Sequence, residues 1–310
     1  MSYHTSNLLY RPSVSIWTAR RKDKGESLKV NANAGAISGA ANVHKQLLPE
    51  NEALEAIQKH VNVFRTWVYD STLPWDDSGW RIGQVSRHMD FMSEAGDYMR
   101  KFDELVADFL RGYDTAVSEA AFKLNALFDY ADYPTKEEVA TKFHINLECM
   151  PLPNVDDFRV VDGVDPDEVE RLCSQAADAV EQKIKAGMDE AYNRLYTVVS
   201  KMAITLRQYG NKEVKKFNDT LVTNIADLVQ IMPALNITND ARLAALAQEA
   251  ENLALYTAAD LRSSESSRKA AILEAEALAA KFAPEPDPVP VVNNVGFVKT
   301  DLADLLKGML

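Results

Sequence analysis

Only two cysteines, Cys149 and Cys173, occur in 310 residues, too few for the disulfide framework of a secreted scaffold. The start MSYHTSNLLYRPS lacks the basic region, apolar run and small-residue cleavage site of a secretory leader. No apolar run reaches the roughly 18 residues that a membrane span requires. These absences predict a soluble chain in a reducing cytoplasm, with no membrane contact. Clustered chemistry is equally scarce. His4, His44, His60, His88 and His144 fall in separate segments, and neither cysteine has a partner at a zinc-ligand spacing. The stretch NANAGAISGAAN, residues 31–42, lacks both GxxxxGK(S/T) and GxGxxG, so it predicts a flexible connector or short small-residue helix rather than a phosphate cradle. Asp156, Asp157, Asp162, Asp165, Asp167 and Glu168 miss the EF-hand pattern. No metal, no cofactor and no catalytic constellation is predicted, and an enzyme is the last-ranked reading. A net charge of −12 and a pI near 5.0 disfavour wholesale binding to nucleic acid and leave room only for a local basic patch.

What the chain has in quantity is helical periodicity. From Asp77 to about Asp129, Met92, Ala95, Met99, Phe102, Val106, Phe109, Tyr113, Ala116 and Ala120 recur at alternating three and four-residue steps, following Val85. A second stripe runs from Pro166 to about Gln208. Asp165 is its candidate cap, Pro166 its first helical residue and Glu168 the far member of a capping box. Unbroken, these helices span roughly 75 and 65 Å, and antiparallel pairing would bury both stripes. A further helix, Glu50 to Tyr69, carries Leu54, Ile57, Val61, Phe64 and Val68. Between the long helices, Thr135 and Glu138 form a capping box, and Phe143, Ile145, Leu147 and Cys149 alternate as in a half-buried strand. Its predicted partner is SVSIWTARR, giving a pairing of Ser13–Arg20 with Phe143–Met150. Beyond Gly210, a helix from Glu213 to Met232 ends at Pro233, and Thr238, Asn239 or Asp240 caps the next. The serine cluster at 263–267 reads as a hinge or a solvated face.

The predicted fold is thus mainly α: a long antiparallel, coiled-coil-like hairpin with a small β-sheet at one end, then shorter helices and a Pro-rich tether to a C-terminal helix. Its segments are 1–48, a strand and connector; 49–210, the hairpin with its β element; 211–283, the shorter helices; and 284–310, the tether and docking helix.

Three stretches invite a functional reading. RTWVYDSTLPWDDSGWRIG, residues 65–83, sets Trp67, Tyr69, Trp75 and Trp80 around Asp70, Asp76 and Asp77. Such a set can bind a sugar or form an acid/base pair; the preferred reading is a packed corner in which Asp76 or Asp77 caps the next helix. Arg20, Arg21, Lys22 and Lys24 form a basic arm with Trp17 nearby for stacking, a possible contact for single-stranded DNA, although an exposed turn is the preferred reading. In the tail, prolines at 284, 286, 288 and 290 favour an extended spacer. Val298, Leu302, Leu305, Leu306 and Met309 then share one face of a helix that Thr300 can cap. About ten residues long, it needs a groove to bury that face, on this chain, a second copy or a partner, with self-association preferred.

SVSIWTARR, FRTWVYDSTLPWDDSGWRI, LFDYADYPTKEEVATKFHINLECMPLPNVDDFRV and FNDTLVTNIADLVQIMPALNITND together resemble a family of uncharacterised proteins of tailed phages and prophages, over roughly residues 10–255. The family has no assigned activity or catalytic residues. Some related genes lie near MoxR-type AAA+ ATPases and von Willebrand A-type proteins, so the resemblance implies an accessory role in a host-cell cytoplasm. The expected function is a nonenzymatic scaffold or adaptor, forming homo-oligomers or binding a protein partner such as a remodelling ATPase. The alternatives are a single-stranded-DNA-binding accessory protein of replication or recombination and a virion structural protein.

Overall fold

A computed structural model describes residues 6–153, 165–211, 213 and 215–282. The chain is mainly helical, with small antiparallel sheets. Its central strand comes from the N-terminus: β1 (Asn7–Ser15) lies between β5 (Arg81–Gln84) and β6 (His144–Pro151), and β4 (Leu73–Pro74) flanks β5. The N-terminal segment therefore pairs with the strand predicted for it, Ser15 opposite His144 and Val14 opposite Ile145. The boundaries differ. The strand begins at Asn7 and stops at Ser15, because Ala19 adopts a left-handed φ of 50° and the chain turns there. Arg20–Asp23 instead forms β2 of a separate two-stranded sheet with β3 (Val43–Gln46).

Alternation along β1 divides the core. Leu9 joins one hydrophobic cluster, while Leu8 and Tyr10 join another on the opposite face, as the two-residue period of a strand demands. The sheet is a septum between two helical layers rather than a cap at one end.

On one side lie α2 (Glu52–Ser71) and α3 (His88–Arg111); the short α1 (Lys24–Asn33) packs beside β2 and β3. Asn51 caps α2 by accepting from the Leu54 amide at 2.8 Å, and its predicted stripe of Leu54, Ile57, Val61, Phe64 and Val68 is buried. α3 starts later than the sequence pattern suggests. Residues between Asp77 and Arg87 form a turn, β5 and a 3-10 turn, and Val85 is exposed. At Gly112 the helix breaks before α4 (Tyr113–Leu124), and Val117 rather than Ala116 is buried. His88 sits at the start of α3 with Nδ1 3.0 Å from the Tyr10 hydroxyl. The capping box of Thr135 and Glu138 is present on α5 (Lys136–Ala140).

The other layer is built on α6 (Pro166–Gly210). Asp165 caps it through the Asp167 amide at 3.0 Å with Pro166 leading, while Glu168 pairs with Arg171 at 2.6 Å instead of closing a box. α7 (Thr220–Leu235), α8 (Ala241–Ala254), α9 (Ala258–Ser263) and α10 (Glu265–Ala280) follow. α7 begins at Thr220, not Glu213, and tolerates Pro233 in its last turn. Asp240 caps α8, and the serine cluster proves to be a break in which Ser264 caps α10. The main partner of α3 is α2, and α6 packs chiefly on α10 and α7. Their stripes fill different clusters. Each long helix has found shorter neighbours on its own side of the sheet, which serves burial as well as the predicted pairing would.

The tryptophan corner is a β-hairpin. The Trp75 amide donates to the Trp80 carbonyl at 3.0 Å, and Gly79 takes a φ of 92° that other residues rarely adopt. Asp76 caps no helix: its Oδ1 accepts from the Ser78 amide and hydroxyl and from the Trp80 amide. Burial alone would raise the Asp76 carboxyl, but those bonds and the Lys183 charge hold it below the usual carboxylate range. Arg81, nearly buried, donates to the Thr72 hydroxyl and to the Tyr69 and Thr72 carbonyls, so it closes the C-terminal end of α2.

Candidate docking groove

α6 carries a second stripe. Asp189, Tyr192, Asn193, Tyr196, Ser200 and Ile204 face away from the sheet and, with Ala279, Ala280 and Phe282 at the end of α10, line a groove of about 810 Å³. Alanines at 279 and 280 keep that wall low. The aromatic end is fixed in place: Phe282 lies edge-on to Tyr192 and tilted on Tyr196, with ring centroids 6.5 and 5.9 Å apart. Arg242 donates to the Lys281 carbonyl at 2.8 Å, satisfying an acceptor that the end of α10 leaves open. The Tyr192 hydroxyl donates to Asp240 at 2.7 Å. An Arg207–Glu276 ion pair bridges α6 and α10. Ile204 is 58% exposed and Tyr196 43% exposed, so large apolar surface stands open to water. In the same groove Ser200 Oγ is buried without a hydrogen-bond partner.

What the groove can do is bind apolar surface. It has two carboxylates, Asp189 and Glu276, and no lining cation, and Glu276 is already paired. Among the described residues no group of three or more His, Cys, Asp or Glu side chains could hold a metal, and no helix is long and apolar enough to cross a membrane. Burial raises the Cys149 thiol above its ordinary value, which disfavours the nucleophilic thiolate.

The basic arm is dispersed by the fold. Arg20, Arg21 and Lys22 lie on β2 and Lys24 opens α1, all four exposed. Arg21 Nε is 2.9 Å from Asp132, which Lys45 also contacts. Trp17, expected to stack on bases, is buried against Phe109 and Tyr113 and unavailable. An exposed aromatic does stand nearby: Tyr130 is 74% exposed, and Arg21 donates to the carbonyl of the adjoining Ala131. Val298, Leu302, Leu305, Leu306 and Met309 lie outside the described residues, as do the prolines before them and Asp156, Asp157 and Asp162.

No family model, curated protein or solved structure matches this chain.

The groove escaped the sequence reading because α6 is striped twice. Its core stripe, Met188, Ala191, Leu195, Val199 and Met202, accounts for the obvious periodicity. The signal for the second was the run Tyr192, Tyr196 and Ile204, which puts large apolar side chains on the polar flank.

Three tyrosines tie neighbouring segments together within each helical layer through their hydroxyls and give the fold an alkaline limit. Tyr113 donates to Pro134 and Tyr133 to Leu47, each at 2.8 Å, in addition to Tyr192 and Asp240. Burial is the main cause that pushes each phenol up to about 12, with nearby charges adding to it. A phenol whose folded value exceeds its unfolded one contributes stability that is fully present below about pH 10 and lost as the pH rises towards 12. The melting temperature should therefore fall between pH 10 and 12. A Tyr113→Phe/Tyr133→Phe/Tyr192→Phe variant should show a shallower fall by differential scanning calorimetry; equal slopes would reject the assignment.

Proposed function

We propose that this chain is a nonenzymatic helical adaptor of phage origin, working through protein docking in the host-cell cytoplasm, with an AAA+ remodelling ATPase as the partner class. The observation that supports it is the open apolar groove between α6 and α10, with Tyr196 and Ile204 exposed at the point where the described chain leaves at Phe282. Apolar surface rimmed by polar residues is what protein recognition uses. A helix over the tail, expected from the sequence to carry Val298, Leu302, Leu305, Leu306 and Met309 on one face, would supply the helix-in-groove counterpart. Affinity capture from infected cells with the full chain should enrich an ATPase, and the Leu302→Asp/Leu305→Asp variant should lose it. Equal recovery by both proteins, or no enrichment at all, would reject the reading.

The second reading, contact with single-stranded DNA, is favoured by the exposure of Arg20, Arg21, Lys22 and Lys24 beside Tyr130. Mobility shifts across a salt series would show a steep loss of binding for phosphate contacts. Binding that is absent at low salt removes it.

A further inference from the structure

We propose that the α6/α10 groove is the resting seat of this chain's own tail helix, residues 298–309, which docks there in cis and keeps its apolar face covered until a partner competes for it. The inference rests on the adaptor reading for the tail's eventual use, but not for the seat itself. Three observations point to that occupant. The first is position: Phe282, the last described residue, is itself part of the groove wall, so residues 283–310 begin at its rim. The second is size. The groove stripe from Asp189 to Ile204 spans roughly 22 Å, and a helix over 298–309 would be about 18 Å long. The third is chemistry. Tyr196 and Ile204 offer exposed apolar area, matching the single apolar face of Val298, Leu302, Leu305 and Leu306.

The spacer can make the return. Residues 283–297 reach up to about 45 Å if extended, more than the groove's own length, and Asn293, Asn294 and Gly296 follow the prolines where a turn is needed. A tethered helix meets the groove at an effective concentration on the order of millimolar. That favours the cis complex over a second copy at ordinary protein concentrations.

Photocrosslinking of the full chain tests this. With p-benzoylphenylalanine replacing Ile204, and separately Tyr196, irradiation should link the groove to the tryptic peptide spanning 300–307 in an adduct of monomer mass. The Leu302→Asp/Leu305→Asp change should reduce the yield about tenfold or more. The same label at Leu255, which is 77% exposed in the α7/α8 groove, should give no tail adduct. Mixing chains of normal and 15N mass separates the possible occupants. Adducts joining two copies, adducts at Leu255 in place of Ile204 and Tyr196, or no tail adduct at either groove position would each overturn the proposal. Loss of the ATPase from affinity capture with the intramolecular adduct intact would reject the adaptor reading and leave the seat standing; the reverse pattern would do the opposite.

Discussion

Trp75→Ala should lower the stability of this protein by about 3–5 kcal/mol, the cost of removing a buried indole that its surroundings cannot refill. Trp75 is 6% exposed and packs in the cluster that joins the sheet to α6, with the Lys183 ammonium 5.0 Å from its ring. Trp80, across the same hairpin, is only half-buried and has the Arg11 guanidinium 4.8 Å from its ring, so Trp80→Ala should cost roughly 1–2 kcal/mol. Asp76→Asn keeps an acceptor for the Ser78 and Trp80 amides and should change stability by less than about 1 kcal/mol. Urea titrations of the three variants give the ordering directly. A Trp80 loss equal to the Trp75 loss would show that the hairpin is anchored from its other side.

Asp132→Ala should be nearly as damaging, by about 3 kcal/mol, because it strands a buried cation. Asp132 and Lys45 have side chains only 10% and 11% exposed, whereas Arg21, the third member, is 52% exposed. Most of the cost therefore falls on Lys45, whose ammonium would keep only the Leu127 carbonyl. Adding Lys45→Met should recover part of the loss, since an apolar side chain tolerates the site without its counter-charge. A double variant weaker than Asp132→Ala alone, in urea titrations, would show that Lys45 packs through its methylenes rather than through its charge.

Helix positions were legible wherever one face alone is buried. The stripe of α2, and the Asp165 cap with Pro166 leading α6, follow from period and end chemistry, and the structure repeats them; the box expected at Glu168 is replaced by its pair with Arg171. Partner choice was not legible. A seam with Ala95, Phe102 and Phe109 says that α3 is covered, not by what, and α2 satisfies it as well as α6 would. The hairpin at Trp75–Trp80 was hidden because Asp76 and Asp77 before an apolar run also suit a helix start. The Ser78–Gly79 turn signal was present, and the left-handed Gly79 decides the matter. The basic arm was visible as charge, but the partner that Arg21 finds lies at Asp132, more than a hundred positions away and beyond any local pattern.

The central place of β1 bears on how the protein is made. Its two sheet partners are β5 and β6, the latter ending at Pro151. During synthesis at about 5–20 residues per second, the N-terminal strand waits roughly 7–30 s before β6 leaves the ribosome. β5 can pair with Asn7–Tyr10 about half-way through that interval, but Arg11–Ser15 have no strand partner before β6, and Leu9 waits longer still for the helices of α6 to α10 that bury it, while α2 and α3 can already pair locally. The first residues translated are thus among the last to be secured, so the nascent chain has a defined period in which a chaperone that holds extended apolar segments would be of use.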